Sequence, residues 1–528
     1  MTERLTKQTL VAATLVTVGG NVLGRLFGYL REAVTADYFG TSAALDIFLI
    51  AFIIPEIMTF VIFAALPTTV IQTVSAVGRQ ERNRENSLFW NGFYAIGGIL
   101  LLVTSSLILA RHEIIGWSAG ELSPEAAVSA ARLLGILALV VLFRGLEAYF
   151  RAWLFHRKHF VAPALSPIVL DLVLIGWILL GYDALQIDTL AYGWLSASVL
   201  LLVMHVVMAI RVVRPGRPAG QGDAAIAPLL KMTMIVAAIE ATSLLYPAID
   251  RFLAVRYLGD GEIAALRYAL FLAMVPPGML VVTFAAASFP WIADMAANQP
   301  ERLKSFYQET IRLVLYVLAP LVAAMIVFAP EVVSVAFRRG EFDQYSVGLT
   351  AGPLLCYSLG LIFYGLYFYR IRYYYAKRLL TQLGFTLGLT LMLKLIASVA
   401  LVRWLGANGL ALATSLAWLA TSMIMTKDLA RRAGLTLADD TRRWLFRLLV
   451  AAAGTVLVWL AARQIWPAPL ASGLTAQFVW LIVVGIVGLA VYVASSFALK
   501  LPEPTRLFET IRNRIETRRS GSEHESLG

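Results

Sequence analysis

The sequence predicts an all-α integral membrane protein. It has about fourteen transmembrane helices, arranged as two six-helix lobes related as parallel repeats plus two extra C-terminal helices. Three observations lead there. First, the chain of 528 residues is 59% hydrophobic and only 15% charged, where a soluble protein carries charges at about 25%. Second, the apolar residues fall in separate runs of roughly 20, the length needed to cross a bilayer. Third, basic residues alternate between the intervening loops.

The predicted spans lie near 9–30, 44–75, 88–110, 127–155, 161–181, 189–210, 228–257, 263–291, 304–328, 344–374, 380–402, 408–428, 443–463 and 474–498. The loops after even-numbered spans carry clusters such as Arg79, Arg82 and Arg84, Arg157 and Lys158, Lys377 and Arg378, and the run from Lys427 to Arg447. The opposite loops carry scattered residues such as Arg31, Arg111, Arg256 and Arg403. Cytoplasmic loops are enriched in Lys and Arg, so both termini are expected in the cytoplasm. The net charge of +11 is then a consequence of topology and needs no nucleic acid. The polar N-terminus leads into an apolar run without a small-residue cleavage site, which reads as a retained first helix.

The two halves resemble each other at an offset near 220 residues. YFG at 38–40, FLIAFIIP at 48–55 and FAALP at 63–67 answer to YLG at 257–259, FLAMVP at 271–276 and FAAASFP at 284–290. LFRGLEAYFRAWLFHRKHF at 142–160 answers to IFYGLYFYRIRYYYAKRLL at 362–380, matching Gly145 with Gly365 and Tyr149 with Tyr369. An even number of helices returns the chain to one side, so the repeats are parallel, and substrate paths in such transporters lie between them. The expected division is 1–218, 219–432, an extra helix pair at 433–499, and a basic cytoplasmic tail at 500–528.

Chemistry-bearing motifs are few. The single Cys356 excludes an internal disulfide and a multi-cysteine metal site. His156 and His159 flank Arg157 and Lys158 in a basic turn and lack ligand spacing. No Walker loop or nucleophile elbow is present, so neither cofactor nor metal is expected. A membrane acyltransferase or polymerase would need catalytic side chains on large outer loops, and these loops are short.

Charges inside spans are the functional candidates. Gly20, Gly24 and Gly28 form a small-residue ridge that admits a close neighbour. Arg25 follows Gly24 of that ridge, about a turn and a half deeper than Arg31. Asp46, Glu240, Arg267 and Lys394 also fall within or at the ends of spans. Arg25, Arg31, Asp46, Arg267, Glu240 and Lys394 are the expected substrate-binding set. Guanidinium forks bind phosphate bidentately and stay charged. Fourteen spans, two repeats and central arginines point to flipping of an anionic amphiphile.

The stretch GRLFGYLREAVTADYFGTSAALDIFLIAFIIP at 24–55 resembles the opening of the MurJ/MviN lipid II flippase family of the MOP exporter superfamily. The resemblance implies outward flipping of an undecaprenyl-diphosphate-linked peptidoglycan precursor across the bacterial inner membrane by alternating access. It places Arg25, Arg31 and Asp46 at functional positions and implies a lipid-linked diphosphate glycan, membrane lipids and cell-wall synthases as partners. Three departures stand out. Thr59 occupies a position that is basic in the family. Phe271 stands where an arginine is expected, with Arg267 one turn earlier. Span 11 has no Asn or Asp, and carries Lys394 instead. A flippase for a lipid-linked exopolysaccharide unit is the second reading. A multidrug exporter of the same superfamily and a non-transporting membrane scaffold are further alternatives.

Overall fold

The computed structural model describes the backbone of residues 2–77, 82–118, 122–213, 225–469, 473–506 and 509. Within these, side chains are described except at 2–18, 21–22, 75–77, 82–84, 239, 243 and 286. The expected lobe boundary at 218/219 and most of the expected tail lie outside the described residues. The described chain is helical throughout, with no strand among the described residues.

Two compact units divide the chain. The first comprises Met1–Ala265 with Arg339–Ser346, and the second Leu266–Arg338 with Val347–Gly528. The first holds α1 (Thr2–Phe39), α2 (Ala43–Val77), α3 (Arg82–Leu109), the short α4 (Arg111–Ser118), α5 (Pro124–His156), α6 (Val161–Leu185), α7 (Asp188–Val213) and α8 (Ile226–Tyr257). By packing, α8 belongs to this unit, against α2. The repeat, by contrast, begins its second half with that helix.

Local chemistry sets the helix ends. Ser123 accepts a hydrogen bond from the Ala126 amide at 3.3 Å, and Pro124 follows at the first helical position of α5, where a missing N–H costs nothing. Inside α8, Pro247 cannot donate to the carbonyl of residue 243 and its ring crowds that carbonyl. The helix bends by 55° between Thr242 and Leu244, as such a proline dictates. The core of the unit is aromatic. Tyr149 donates to the Phe89 carbonyl at 2.6 Å, and Phe89 packs on the rings of Trp90, Tyr149, Phe150 and Trp153.

The second unit holds α9 (Glu262–Asn298, from Leu266 onward), α10 (Pro300–Val327), α11 (Ala329–Phe337), α12 (Gln344–Ala376, from Val347 onward), α13 (Leu380–Ala433), α14 (Thr441–Ile465) and α15 (Leu474–Ala498). The C-terminal pair α14–α15 docks on α10 and α11. Phe328 lies 5.6 Å from both the Trp459 and Trp480 rings, and Tyr492 donates to the Tyr316 carbonyl at 2.8 Å. Arg463 pairs with Glu331 at 2.8 Å, and Ser334 with Gln477 at 2.9 Å.

The internal repeat is visible in the backbone of each unit taken separately. The turn after α5 places Lys158 at φ 58°, and the turn after α12 places Arg378 at φ 57°. Both turns close with matching bonds, from Lys158 N to Phe155 O and from Arg378 N to Tyr375 O. Gln186, between α6 and α7, has φ 47° and ψ −126°, and Gly406, inside α13, has φ 58° and ψ −136°. Each pair is separated by 220 residues. Gly406 is therefore the counterpart of an inter-span turn, and the 54-residue α13 is two spans. Gly145 packs against Leu100 of α3, and Gly365 against Leu318 of α10.

This resolves the span count. Among the described residues eleven helices are long and apolar enough to cross a membrane, with α13 counted once, and the bent α8 is a twelfth. Dividing α13 at Gly406 and adding α1, whose first side chains are not described, accounts for all fourteen predicted spans.

Candidate functional site

The site in the first unit is built on the close approach of α1 and α6. A Cβ on Gly20 would sit 2.9 Å from the Ala164 Cβ, and one on Gly24 would sit 3.0 Å from the Pro167 Cβ. One on Gly28 would meet an Asp171 oxygen at 3.5 Å. The glycine ridge thus brings the two backbones together, and one turn further on Arg31 reaches α6. Its Nη1 lies 3.4 Å from Asp171 and its Nη2 2.7 Å from Glu32. The guanidinium also faces the Trp194 ring of α7 at 5.8 Å. Thr35 donates to the Arg31 carbonyl at 2.8 Å, fixing the local helix.

Burial distinguishes these groups. The Arg31 side chain keeps 17% exposure, while Glu32 and Asp171 keep 2% and 6%. The carboxylates are inside and the cation faces outward from them. Arg25 stands on the exposed side of α1 among Leu23, Leu26 and Tyr29. It forms no hydrogen bond or ion pair among the described residues. The two arginines therefore differ: Arg31 is held and Arg25 is open.

Among the described residues Asp46 does not pair with an arginine. Its two oxygens accept hydrogen bonds from the backbone amides of Gly261 at 2.6 Å and Ala264 at 2.7 Å. It thereby caps the start of α9, satisfying donors that a helix terminus leaves orphaned. Gly261 allows the close turn: at φ +86° its backbone lies against the Thr41 carbonyl.

The remaining expected residues are spread over both units. Glu240 is half-buried in α8 of the first unit, and Arg267 is half-buried in α9 of the second. Lys394 is fully buried in α13, where its ammonium donates to the Leu410 carbonyl at 3.0 Å. Arg370, which the sequence places near a cytoplasmic loop, is 2% exposed. It donates to Tyr307 at 3.0 Å and to the Ser422 hydroxyl at 2.6 Å.

Two further charged contacts in the first unit escaped the sequence reading. Arg251 of α8 pairs with Glu56 of α2, and Arg144 pairs with Glu147 one turn on along α5. Both pairs were visible only as separate in-span charges, because residue spacing cannot show which helices meet. Among the described residues no three His, Cys, Asp or Glu side chains are grouped to hold a metal ion.

Comparison with known proteins decides the family. Residues 35–484 match the family described as Lipid II flippase MurJ. The chain belongs to the MurJ family. Relatives span its length: the probable lipid II flippase MurJ of Rhizobium tropici is 26% identical over 502 residues, covering 91% of each chain. That of Thermotoga maritima is 22% identical over 495 residues, covering 93% of this chain and 97% of the relative. Among solved structures, a lipid II flippase MurJ in an inward closed conformation superposes with a TM-score of 0.78 at 19% identity, covering 92% of this chain and 98% of that one. An inward-facing multidrug resistance MATE transporter of the MOP superfamily superposes at 0.64 with 14% identity, covering 78% of this chain and 94% of that one. The chain is a multi-pass membrane protein of this fold.

Proposed function

We propose that this protein translocates lipid II, an undecaprenyl-diphosphate-linked peptidoglycan precursor, across the bacterial inner membrane by alternating access. Both termini would face the cytoplasm, on the side of the basic loops. Membership of the MurJ family over residues 35–484 is the observation that carries the reading. The arrangement of charge in the first unit supports it. A diphosphate needs forked donors that are not fully consumed. Arg25 is exposed and without an ion pair among the described residues, and Arg31 is oriented by Glu32 and Asp171. In this account Arg25 is one donor to the diphosphate during its passage. Arg31 is the second donor, released from Asp171, the longer of its two ion pairs.

Asp46 positions the start of α9 in this scheme and does not touch substrate. Arg267 contributes from the second unit and Glu240 from the first, while Lys394, sealed against the Leu410 carbonyl, serves the packing of α13. The departures at Thr59 and Phe271 leave a lipid-linked exopolysaccharide unit as the second substrate, since it presents the same diphosphate.

The test is rescue of a bacterium depleted of its own lipid II flippase. The wild-type chain should restore growth, and Arg25→Ala should not, at equal membrane abundance. Failure of the wild type at normal abundance would reject lipid II as substrate. The lipid that co-purifies with the protein would then identify the replacement.

A further inference from the structure

A second cluster of cations lies in the first unit, away from Arg31. Arg144 and Arg151 are seven residues apart on α5, two turns along one helix face. Both guanidiniums stack on the ring of Phe63 from α2, at 4.1 and 5.4 Å, and Arg151 also faces Phe155 at 5.3 Å. Glu147 is fully buried and bound to Arg144. Its other oxygen lies 3.6 Å from Nδ1 of the buried His205, which also faces the Leu201 carbonyl at 2.9 Å.

The charges do not cancel. Among the described residues Glu147 is the only carboxylate in ion-pair contact with this cluster, against two guanidiniums. Protonation of His205 would only add to the excess. Arg151 forms no hydrogen bond or ion pair among the described residues, and the Arg144 Nε is buried with no hydrogen-bond partner. Aromatic faces hold a cation in place, but they leave the N–H groups of the Arg151 fork unused. A half-buried guanidinium in a membrane span is costly when uncompensated. An arginine clamped between two rings with its donors free is organised to receive an anion.

We infer that Arg144 and Arg151 form a phosphate-binding subsite for a lipid-borne phosphate, distinct from Arg25 and Arg31. Arg151 lies about one and a half helical turns, and Arg144 more than three, before the basic turn at Arg157–Lys158, which the proposed topology places at the cytoplasmic side. The ligand chemistry is a phosphate ester or diphosphate on a lipid. Its two sources are the substrate diphosphate as it enters, and the head group of an anionic phospholipid. The first source rests on the lipid II reading above, and the second does not.

The experiment counts lipids retained by the purified full-length protein in native mass spectrometry. Undecaprenyl diphosphate, phosphatidylglycerol and inorganic pyrophosphate are titrated separately into wild type, Arg151→Ala, Arg151→Lys and Arg31→Ala. Arg151→Ala should fold, since Glu147 keeps Arg144 and no hydrogen bond is lost. Its melting temperature checks this, and Arg151→Lys supplies a second variant that keeps the charge but loses the fork.

We expect Arg151→Ala to weaken one class of undecaprenyl diphosphate binding at least tenfold, with Arg31→Ala leaving that class intact. Loss of phosphatidylglycerol alone in Arg151→Ala would uphold the subsite and assign it to phospholipid. If wild type retains phosphatidylglycerol through Arg151 but never binds undecaprenyl diphosphate, the lipid II reading fails while the subsite stands. Equal binding of all three probes by wild type and both Arg151 variants would overturn the inference.

Discussion

The first unit holds its central arginine between two carboxylates and an indole ring and leaves it 17% exposed. The second holds Lys394 and Arg370 at 0% and 2% exposure, with donors given to the carbonyl of Leu410, the phenol of Tyr307 and the hydroxyl of Ser422. The contrast separates two uses of a buried cation. A guanidinium satisfied by fixed neutral dipoles has nothing left to offer a ligand. One held by carboxylates at an open edge can exchange a partner. The repeat sharpens the point. At the 220-residue offset, Arg144 and Glu147 correspond to Tyr364 and Tyr367, and Phe150 to Arg370. Tyr364 packs on Trp418 at 5.0 Å, so the frame that carries charge in one unit carries aromatic packing in the other.

The largest effect that would break this comparison is on transport. Arg25→Ala should lower lipid II translocation at least tenfold while leaving the melting temperature of the protein unchanged, because Arg25 has no ion pair among the described residues. Translocation into proteoliposomes and a melting curve read the two quantities. Next, Arg370→Met should cost about 2–4 kcal/mol of stability by removing charge-assisted hydrogen bonds and orphaning their buried partners. Its translocation per folded molecule should stay at wild type. A transport defect at normal stability would remove the distinction between the units.

A smaller pair of effects tests the repeated turn. Gln186 and Gly406 adopt nearly the same left-handed conformation, which favours glycine. Gln186→Gly should stabilise by up to about 1 kcal/mol, and Gly406→Gln should destabilise by about 1–2 kcal/mol. Melting-temperature shifts of opposite sign, the Gly406→Gln shift the larger, would support one turn used twice.

The smallest effect concerns Asp440, ahead of α14, whose hydrogen bond from Arg312 lowers its carboxyl below the ordinary 3.8. A group depressed on folding adds stability above its unfolded value and loses it as pH falls through the folded value. The pair is largely exposed on the Asp440 side, at 63%, so the contribution is under about 1 kcal/mol. Melting curves of wild type and Asp440→Asn should differ slightly at pH 7, and the difference should shrink as pH falls below the ordinary carboxylate value of 3.8.

The sequence made the spans legible because twenty-residue apolar runs have few alternatives, and the glycine and basic matches at Gly145 and Lys158 exposed the repeat. The candidate site was only half legible. Gly20, Gly24 and Gly28 announced a close helix contact without saying that α6 would fill it. Asp171 therefore stood as one more in-span charge, and the carboxylate that holds Arg31 went unassigned. Asp46 looked like a substrate-binding charge because its targets, two backbone amides more than two hundred residues away, carry no side-chain signal. The bend of α8 was written in Pro247, but its packing on α2 was not.

The central claim is that the exposed cations of the first unit carry substrate and the sealed cations of the second do not carry it in the same way. The direct measurement is the initial rate of lipid II translocation in proteoliposomes for Arg31→Ala and Lys394→Met, normalised to folded protein. The account predicts at least a tenfold loss for Arg31→Ala and a much smaller change for Lys394→Met. Full activity in Arg31→Ala, with transport abolished in well-folded Lys394→Met, would contradict it.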